Sequence, residues 1–93
     1  DVTEHNQDEY QITPRDEKSW FVDGQYSFME FLHYFDIEPD EEYTGDFVTI
    51  AGYFIHKLEI LPDIGDTLVI DSYKLEIVDK DGQRIDKILV TKI

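Results

Sequence analysis

Carboxylates are the groups in this chain with the clearest potential for chemistry, because hard cations such as Ca²⁺ and Mg²⁺ bind where a few oxygen ligands converge. An acidic connection occupies residues 36–46. It is not an EF-hand, since a register that starts at Asp40 places Ala51 at the last position, where a bidentate glutamate is required. We therefore expect only a weak Ca²⁺ or Mg²⁺ site in this connection, with its ligands among Asp36, Asp40, Glu41, Glu42 and Asp46.

The other residue types that catalyse reactions occur without their usual partners. The histidines lie far apart, with no second ligand at the spacing of a transition-metal site: His5, His33 and His56. No serine has a G-x-S-x-G context, and the five glycines form neither a G-x-G-x-x-G motif nor a Walker loop. A hydrolase that uses the surplus carboxylates is the weakest alternative, since no pair stands out. The sequence predicts binding or regulation, and no enzyme.

The balance of charge narrows the classes of partner. The 93 residues include 22 acidic and 8 basic side chains, which gives a formal net charge of −14. Such a field repels phosphate backbones and anionic lipid surfaces, so nucleic acid binding is disfavoured. The apolar stretches are only a few residues long, far below the roughly 20 residues of a membrane-spanning helix. We expect no direct membrane insertion, and the lack of cysteine agrees with a reducing, cytosolic compartment.

The start of the chain predicts a linker rather than a folded element. Residues 1–18 are acidic, and Pro14 should interrupt any regular structure there. We therefore expect an arm over 1–18, attached to a domain over 19–93 that is the C-terminal part of a longer protein. The domain should open with a strand that ends at a tight turn, in which Gly24 adopts a positive φ.

Two stretches show the helical spacing of apolar residues: Phe28, Phe31, Leu32 and Phe35 in the first, and Phe47, Ile50, Ala51, Phe54 and Leu58 in the second. Ser27 and Glu30 form a capping box that should begin the first helix, which we expect to end near residue 36. Thr44 or Asp46 could cap the second helix. Gly52 inside that helix predicts close packing against a neighbouring element.

The remainder of the chain predicts β-structure. Residues 67–71 and 73–79 alternate apolar and polar side chains on either side of a short turn, which is typical of a hairpin. Residues 84–93 form the last strand. The odd step from Ile85 to Ile88 breaks the alternation and predicts a bulge or a change of face. The expected fold class is α+β, with two helices packed on a mainly antiparallel β-sheet.

Several short motifs follow one another along the chain: Trp20-Phe21-Val22-Asp23-Gly24, the helix over 27–35, Thr49-Ile50-Ala51-Gly52, Leu61-Pro62-Asp63-Ile64-Gly65-Asp66, and Asp81-Gly82-Gln83-Arg84-Ile85 with Lys87-Ile88-Leu89-Val90. This series resembles the CorC/HlyC transporter-associated domain over residues 19–93. The fold of that family is similar to the FAD-binding (PCMH-type) subdomain of flavin oxidoreductases. Its motif residues map onto turn and packing roles in this chain: Asp23, Gly24, Gly52, Pro62, Gly65, Asp66 and Gly82.

The resemblance implies a partner and a location. In that family the domain follows a pair of CBS modules and a membrane region, and the proteins are implicated in magnesium and cobalt efflux. The chain would then be a non-catalytic regulatory domain at the cytoplasmic face of the membrane, in contact with the CBS pair and the membrane domain of its own parent. A homodimer is compatible with this arrangement. The regulatory domain would contact its partners through an exposed face of the sheet or through the acidic connection, with Tyr43 and Tyr53 as possible aromatic contacts.

A nucleotide or flavin-binding module is the alternative, and it rests on analogy of fold alone. The sequence offers no Gly-rich pyrophosphate loop to support it. The resemblance carries over no catalytic residue and no resident cofactor.

Overall fold

A five-stranded antiparallel sheet forms the base of the structure, a computed structural model that describes residues 10–39, 48–59 and 61–93. The strands are β1 (Ile12–Asp16), β2 (Ser19–Asp23), β3 (Thr67–Ile70), β4 (Tyr73–Asp81) and β5 (Arg84–Lys92). Helices α1 (Phe28–Tyr34) and α2 (Ile50–Leu58) lie between β2 and β3 in the chain. The α+β class with two helices on an antiparallel sheet is confirmed.

The order of strands across the sheet, β1-β2-β5-β4-β3, places the last strand, β5, at its centre. Strand β5 pairs with β2 on one side and with β4 on the other, so that Val22 lies opposite Ile88 and Leu75 lies opposite Val90. Because successive side chains of a strand alternate between faces, this register puts one apolar row from each central strand on the same side.

The helices cover that apolar side and close a single core. Phe28 of α1 stacks on Tyr53 of α2 with ring centroids 4.5 Å apart, and Trp20 of β2 meets Phe35 edge to face at 4.9 Å. The buried apolar residues are Val22, Phe28, Phe31, Leu32, Phe35, Ile37, Ile50, Ala51, Tyr53, Phe54, Leu75, Ile77, Ile85, Ile88 and Val90. The predicted helical stripe of α1 is confirmed, as is that of α2 for Ile50, Ala51 and Phe54.

The bulge predicted between Ile85 and Ile88 is present in β5. Ile88 pairs with Ile77, Lys87 with Asp79, and Ile85 with Lys80, so Asp86 has no opposite residue in the register. The extra residue shifts the alternation of side chains in β5 by one position. As a result Ile85 and Ile88 both point into the core, although they are three positions apart.

Strand β1 corrects the prediction that Pro14 prevents regular structure near the start of the chain. Residues Ile12–Asp16 pair with β2, with Pro14 opposite Trp20 and a register shift between Pro14 and Asp16. Proline is tolerated here because β1 is an edge strand, where one row of backbone groups needs no partner. The sheet therefore begins at Ile12, before the expected boundary at residue 19.

Asp16 holds the turn between β1 and β2. Its Oδ1 accepts hydrogen bonds from the Lys18 amide at 2.9 Å and from the Ser19 hydroxyl at 2.8 Å. These donors stabilise the carboxylate and hold the pKa of Asp16 below its ordinary value. The buried Ser19 hydroxyl is thereby satisfied.

The N-cap of α2 also differs from the prediction, which placed the cap at Thr44 or Asp46. Thr49 is the cap, and its Oγ1 accepts a hydrogen bond from the Gly52 amide at 3.0 Å. Thr44, Asp46 and Phe47 lie outside the described residues. The helical spacing of apolar residues already begins at Phe47, before the observed first residue of the helix, and this explains the error in the predicted cap. The predicted cap of α1 is confirmed, since Ser27 Oγ accepts from the Glu30 amide at 3.2 Å.

Gly24 is required for close approach rather than for a positive φ. Its amide donates to the Asp86 carbonyl at 3.0 Å, and its carbonyl accepts from the Ala51 amide at 2.9 Å. A Cβ at this position would lie 2.1 Å from the carbonyl oxygen of Ile85. The positive-φ glycines are instead Gly65 and Gly82. The predicted reason for glycine at this turn is therefore wrong, although the residue is essential to the packing.

Replacing Gly24 should destabilise the domain far more than replacing a glycine with free space around it. We expect Gly24→Ala to lower the free energy of unfolding by about 3 kcal/mol, because the new methyl group collides with backbone that cannot move independently. Gly82→Ala is the matched control. Its Cβ meets nothing within 4 Å, so only the left-handed φ of +65° is penalised, by about 1 kcal/mol. Urea unfolding followed by Trp20 fluorescence measures both, and equal losses would refute the steric explanation.

Candidate functional site

The acidic connection gives no metal site within the part of the chain that the structure describes. Asp36 is exposed and adopts a left-handed φ of 57° just after α1, where it ends the helix. Its predicted co-ligands lie outside the described residues, as does Tyr43: Asp40, Glu41, Glu42 and Asp46. Among described residues, no three potential ligands from His, Cys, Asp and Glu come together. The cation site in this connection stays a prediction.

The motif residues before β3 form a hydrogen-bonded loop. Asp66 Oδ2 accepts from the Asp63 amide at 2.8 Å, and the Asp66 amide donates to the Asp63 carbonyl at 3.1 Å. Gly65, with a φ of 97°, donates its amide to the Ile77 carbonyl at 2.9 Å. The carbonyl of buried Pro62 accepts from Lys80 Nζ at 2.8 Å. Through these contacts the loop binds to β4, so its motif residues have a structural role.

The remaining predicted side chains are dispersed or buried. His33 and His56 are exposed on different helices. Tyr53 is only 7% exposed and packs in the core, so it cannot be the aromatic surface contact that the sequence allowed. Asp23 ties the start of β1 to β2, since its Oδ2 accepts from the Gln11 amide at 2.9 Å. None of these positions forms a catalytic group with another within the described ranges.

A groove lies beside the N-terminal ends of both helices. It has a volume of about 980 Å³. Three segments of the chain line it: residues 10–12 at the start of β1, residues between 25 and 34 at and before α1, and residues 48–49 just before α2. The lining residues are Tyr10, Gln11, Ile12, Gln25, Tyr26, Ser27, Glu30, Tyr34, Val48 and Thr49. We call this feature the tyrosine groove.

A short antiparallel contact between the two helix caps builds the floor of the tyrosine groove. Ser27 and Thr49 form an isolated β-bridge. On one side the Phe28 amide donates to the Val48 carbonyl, and on the other the Ile50 amide donates to the Tyr26 carbonyl, each at 2.9 Å. Because both caps are extended and paired, the two helices start side by side.

The first amides of α2 are all bonded within the protein. The Ile50 amide donates to Tyr26, the Ala51 amide to Gly24, and the Gly52 amide to the Thr49 hydroxyl. A helix N-terminus binds a phosphate group through amides that have no other acceptor. This helix start therefore offers no ready cradle for an anion, even though it lies beside a groove.

The electrostatics of the tyrosine groove are set by one carboxylate. Glu30 is the only charged side chain among the described lining residues, and no lysine or arginine lines the groove. Desolvation by burial, with contributions from the Glu30 carboxylate and from Tyr34, raises the pKa of Tyr26 above its ordinary value. The groove thus combines neutral phenols with a negative group, which suits the binding of a cation more than the activation of a nucleophile.

The motifs in the sequence do not predict the tyrosine groove, although one of its walls has a local pattern in the sequence. Tyr26, Glu30 and Tyr34 are spaced four residues apart and lie off the apolar stripe of α1. Such spacing places side chains on one face of a helix. The contributions of Tyr10 and Val48 have no local signal, because these residues reach the groove only through the tertiary fold.

Comparison with known proteins finds a matching family and similar proteins along nearly the whole chain. The model of a family described as CorC_HlyC, transporter associated domain, matches residues 13–93. A UPF0053 protein of Synechocystis sp. is 41% identical over 86 residues, which cover 91% of this chain and 19% of that protein. The polyamine export protein of Salmonella typhimurium is 38% identical over 85 residues, again 91% of this chain and 19% of that protein. The chain therefore spans about a fifth of the length of these relatives.

A solved structure agrees in fold. The transporter associated domain of a Xylella fastidiosa hemolysin, determined in complex with Mg²⁺ and Mn²⁺, superposes with a TM-score of 0.77 and 28% identity. The match covers 88% of this chain and 96% of that one, so the related domain exists as a separate folded chain. Within the described part of the present chain, neither helix has the length and apolar character needed to cross a membrane.

The raised pKa of Tyr26 makes a testable contribution to stability at alkaline pH. Because folding favours the neutral phenol, this contribution is complete below the ordinary tyrosine pKa of 10.0 and is lost as the pH rises through the higher folded value. Titration of tyrosinate absorbance should show a late step that Tyr26→Phe removes. Glu30→Gln should move that step to lower pH, since it removes a negative neighbour. Tyr10→Phe is the control and should retain the step. A late step that survives Tyr26→Phe would contradict the assignment.

Proposed function

Since this chain belongs to the CorC_HlyC family of transporter associated domains, we propose that it is a non-catalytic regulatory domain of a larger membrane transport protein. The observation that carries the proposal is the family match over residues 13–93. The chain corresponds to only 19% of the curated relatives, which agrees with a domain of a longer parent. In this proposal its partners are the CBS pair and the membrane domain of that parent, and it lies at the cytoplasmic face.

We propose that the parent exports polyamines. The support is the 38% identity to the polyamine export protein of Salmonella typhimurium over 91% of this chain. Polyamines are cationic at neutral pH, and an acidic domain with a net charge of −14 raises the local concentration of cations by long-range attraction.

Export of magnesium or cobalt is the second candidate. Its support is the related Xylella fastidiosa domain, which was determined in complex with Mg²⁺ and Mn²⁺. In the present chain a divalent metal would need several oxygen ligands at one point. The described residues provide no such cluster, and four of the five ligands predicted for the acidic connection lie outside them.

A regulatory domain acts by binding differently to two states of its parent. The Ser19 hydroxyl donates to the Asp16 carboxylate as part of the turn between β1 and β2, and the groove hydroxyls of Ser27 and Thr49 are used as helix caps. The domain can therefore influence transport through a ligand or a neighbouring module rather than through turnover. The flavin or nucleotide alternative has less support, because the first amides of α2 are already bonded and Glu30 would repel a pyrophosphate.

Loss of the folded domain should change export without removing the transporter. In cells that produce the full-length parent, we expect deletion of residues 13–93 to change the rate of putrescine export by about fivefold, a typical coupling between two sites. Gly24→Ala in the parent should act in the same direction, because it disrupts the domain fold. Gly82→Ala is the matched control and should leave export close to that of the unmodified parent.

The measurement is efflux of labelled putrescine from loaded cells, normalised to the amount of parent in the membrane. Efflux of Co²⁺ is measured in the same strains. Unchanged efflux of both cations in the deletion strain would refute the regulatory function. A change in Co²⁺ efflux alone would replace the polyamine assignment with the second candidate.

A further inference from the structure

We propose that the tyrosine groove is a binding site for a linear alkyl diamine in its diammonium form. This inference rests on the proposed function, because it assigns the domain a direct contact with the class of cation that its parent exports. It does not require a further partner chain. The argument depends on the charge, the aromatic lining and the shape of the groove in the described structure.

Charge selects a cation over an anion. Glu30 is the only charged side chain among the described lining residues, and it takes part in none of the ion pairs between described residues. Its carboxylate lies on the exposed face of α1. The amides at the start of α2, which would attract an anion, are bonded to Tyr26, Gly24 and Thr49. An ammonium group at Glu30 would therefore meet a negative charge without a competing cation.

The aromatic lining selects an organic cation over a metal ion. Mg²⁺ is commonly held by one or two carboxylates with water completing its shell and Ca²⁺ by more oxygen ligands, so the single carboxylate of the described groove holds neither ion strongly. Alkylammonium groups are instead attracted by the faces of aromatic rings. Three tyrosines line the groove, and Tyr34 is 50% exposed, so its ring is available to a ligand. Tyr26 is a neutral phenol at physiological pH, as any tyrosine with the ordinary pKa of 10.0 would be, and burial raises its pKa further.

The shape of the groove fits an extended chain rather than a compact ion. Glu30 and Tyr34 lie one helical turn apart on α1, about 6 Å along the helix axis. Tyr10 and Ile12 approach from β1, and Val48 from the segment before α2. The lining therefore combines polar and apolar side chains from three segments. An ammonium group at Glu30 leaves the methylene chain against apolar side chains and places the second ammonium group near a tyrosine ring.

Chemical shift titration of the 93-residue chain tests the proposal directly. Putrescine at constant ionic strength should give saturable shifts of the Gln11, Glu30 and Tyr34 amides. At the same ionic strength, 1,4-butanediol and MgCl₂ should give no saturable shifts at these residues. N-acetyl-lysine amide carries one ammonium group on an alkyl chain, as a protein side chain does, and should bind at least threefold more weakly than putrescine.

Variants identify the interactions. Glu30→Gln should weaken putrescine binding by about fivefold through the loss of an exposed ion pair. Glu17→Gln is the matched control, because it removes the same charge from the exposed β1–β2 turn and should leave the affinity unchanged. Tyr34→Leu should weaken binding by about threefold, whereas Tyr34→Phe, which keeps the ring, should not. Thermal unfolding of each variant confirms that the domain is folded.

The outcomes separate this inference from the proposed function. Absence of saturable shifts with putrescine, equal effects of Glu30→Gln and Glu17→Gln, or tighter binding of Mg²⁺ than of putrescine at these residues would each overturn the diamine site. Equal affinity for N-acetyl-lysine amide would show that the groove recognises a lysine side chain and would overturn it also. The deletion experiment in the parent remains independent, because a domain without this site can still regulate export through its neighbours.

Discussion

The structure depends on the close crossing of backbone at Gly24. This residue lies between the bulged strand β5 and the start of α2, and it donates a hydrogen bond to Asp86 and accepts one from Ala51. A side chain would occupy the position of the Ile85 carbonyl. The contact joins the sheet to the helical layer through the main chain, so the distance between the two layers is set by backbone hydrogen bonds as well as by apolar packing.

The tyrosine groove is a consequence of this connection. Because Gly24 holds the start of α2 against the turn after β2, the caps Ser27 and Thr49 come within reach of each other and pair. The pairing aligns the two helices, and it uses the amides that would otherwise make their N-terminal ends attractive to anions. The same set of hydrogen bonds thus stabilises the domain and leaves Glu30 as the charged side chain among the described residues that line the groove.

The acidic residues act both through the net charge of the chain and through one carboxylate in the tyrosine groove. Most of its carboxylates keep a small domain soluble and repel nucleic acid and anionic lipid. In the groove a single carboxylate lies beside aromatic rings, and the proposed diamine site depends on this combination rather than on net charge. The chain belongs to a family of transporter associated domains, and in the function proposed above contact with a cation has an evident use.

The sequence by itself determined those features that depend on neighbouring residues: the helical stripes, the Ser27 cap, the hairpins, and the bulge that the spacing of Ile85 and Ile88 requires. Only the tertiary structure decided the features that depend on distant pairing. Strand β1 is polar and contains Pro14, so its place at the sheet edge leaves no periodic pattern. The need for glycine at residue 24 arises from β5, far along the chain, and the groove joins side chains from three separate segments. Local spacing encodes local geometry, whereas these contacts exist only after the sheet has closed.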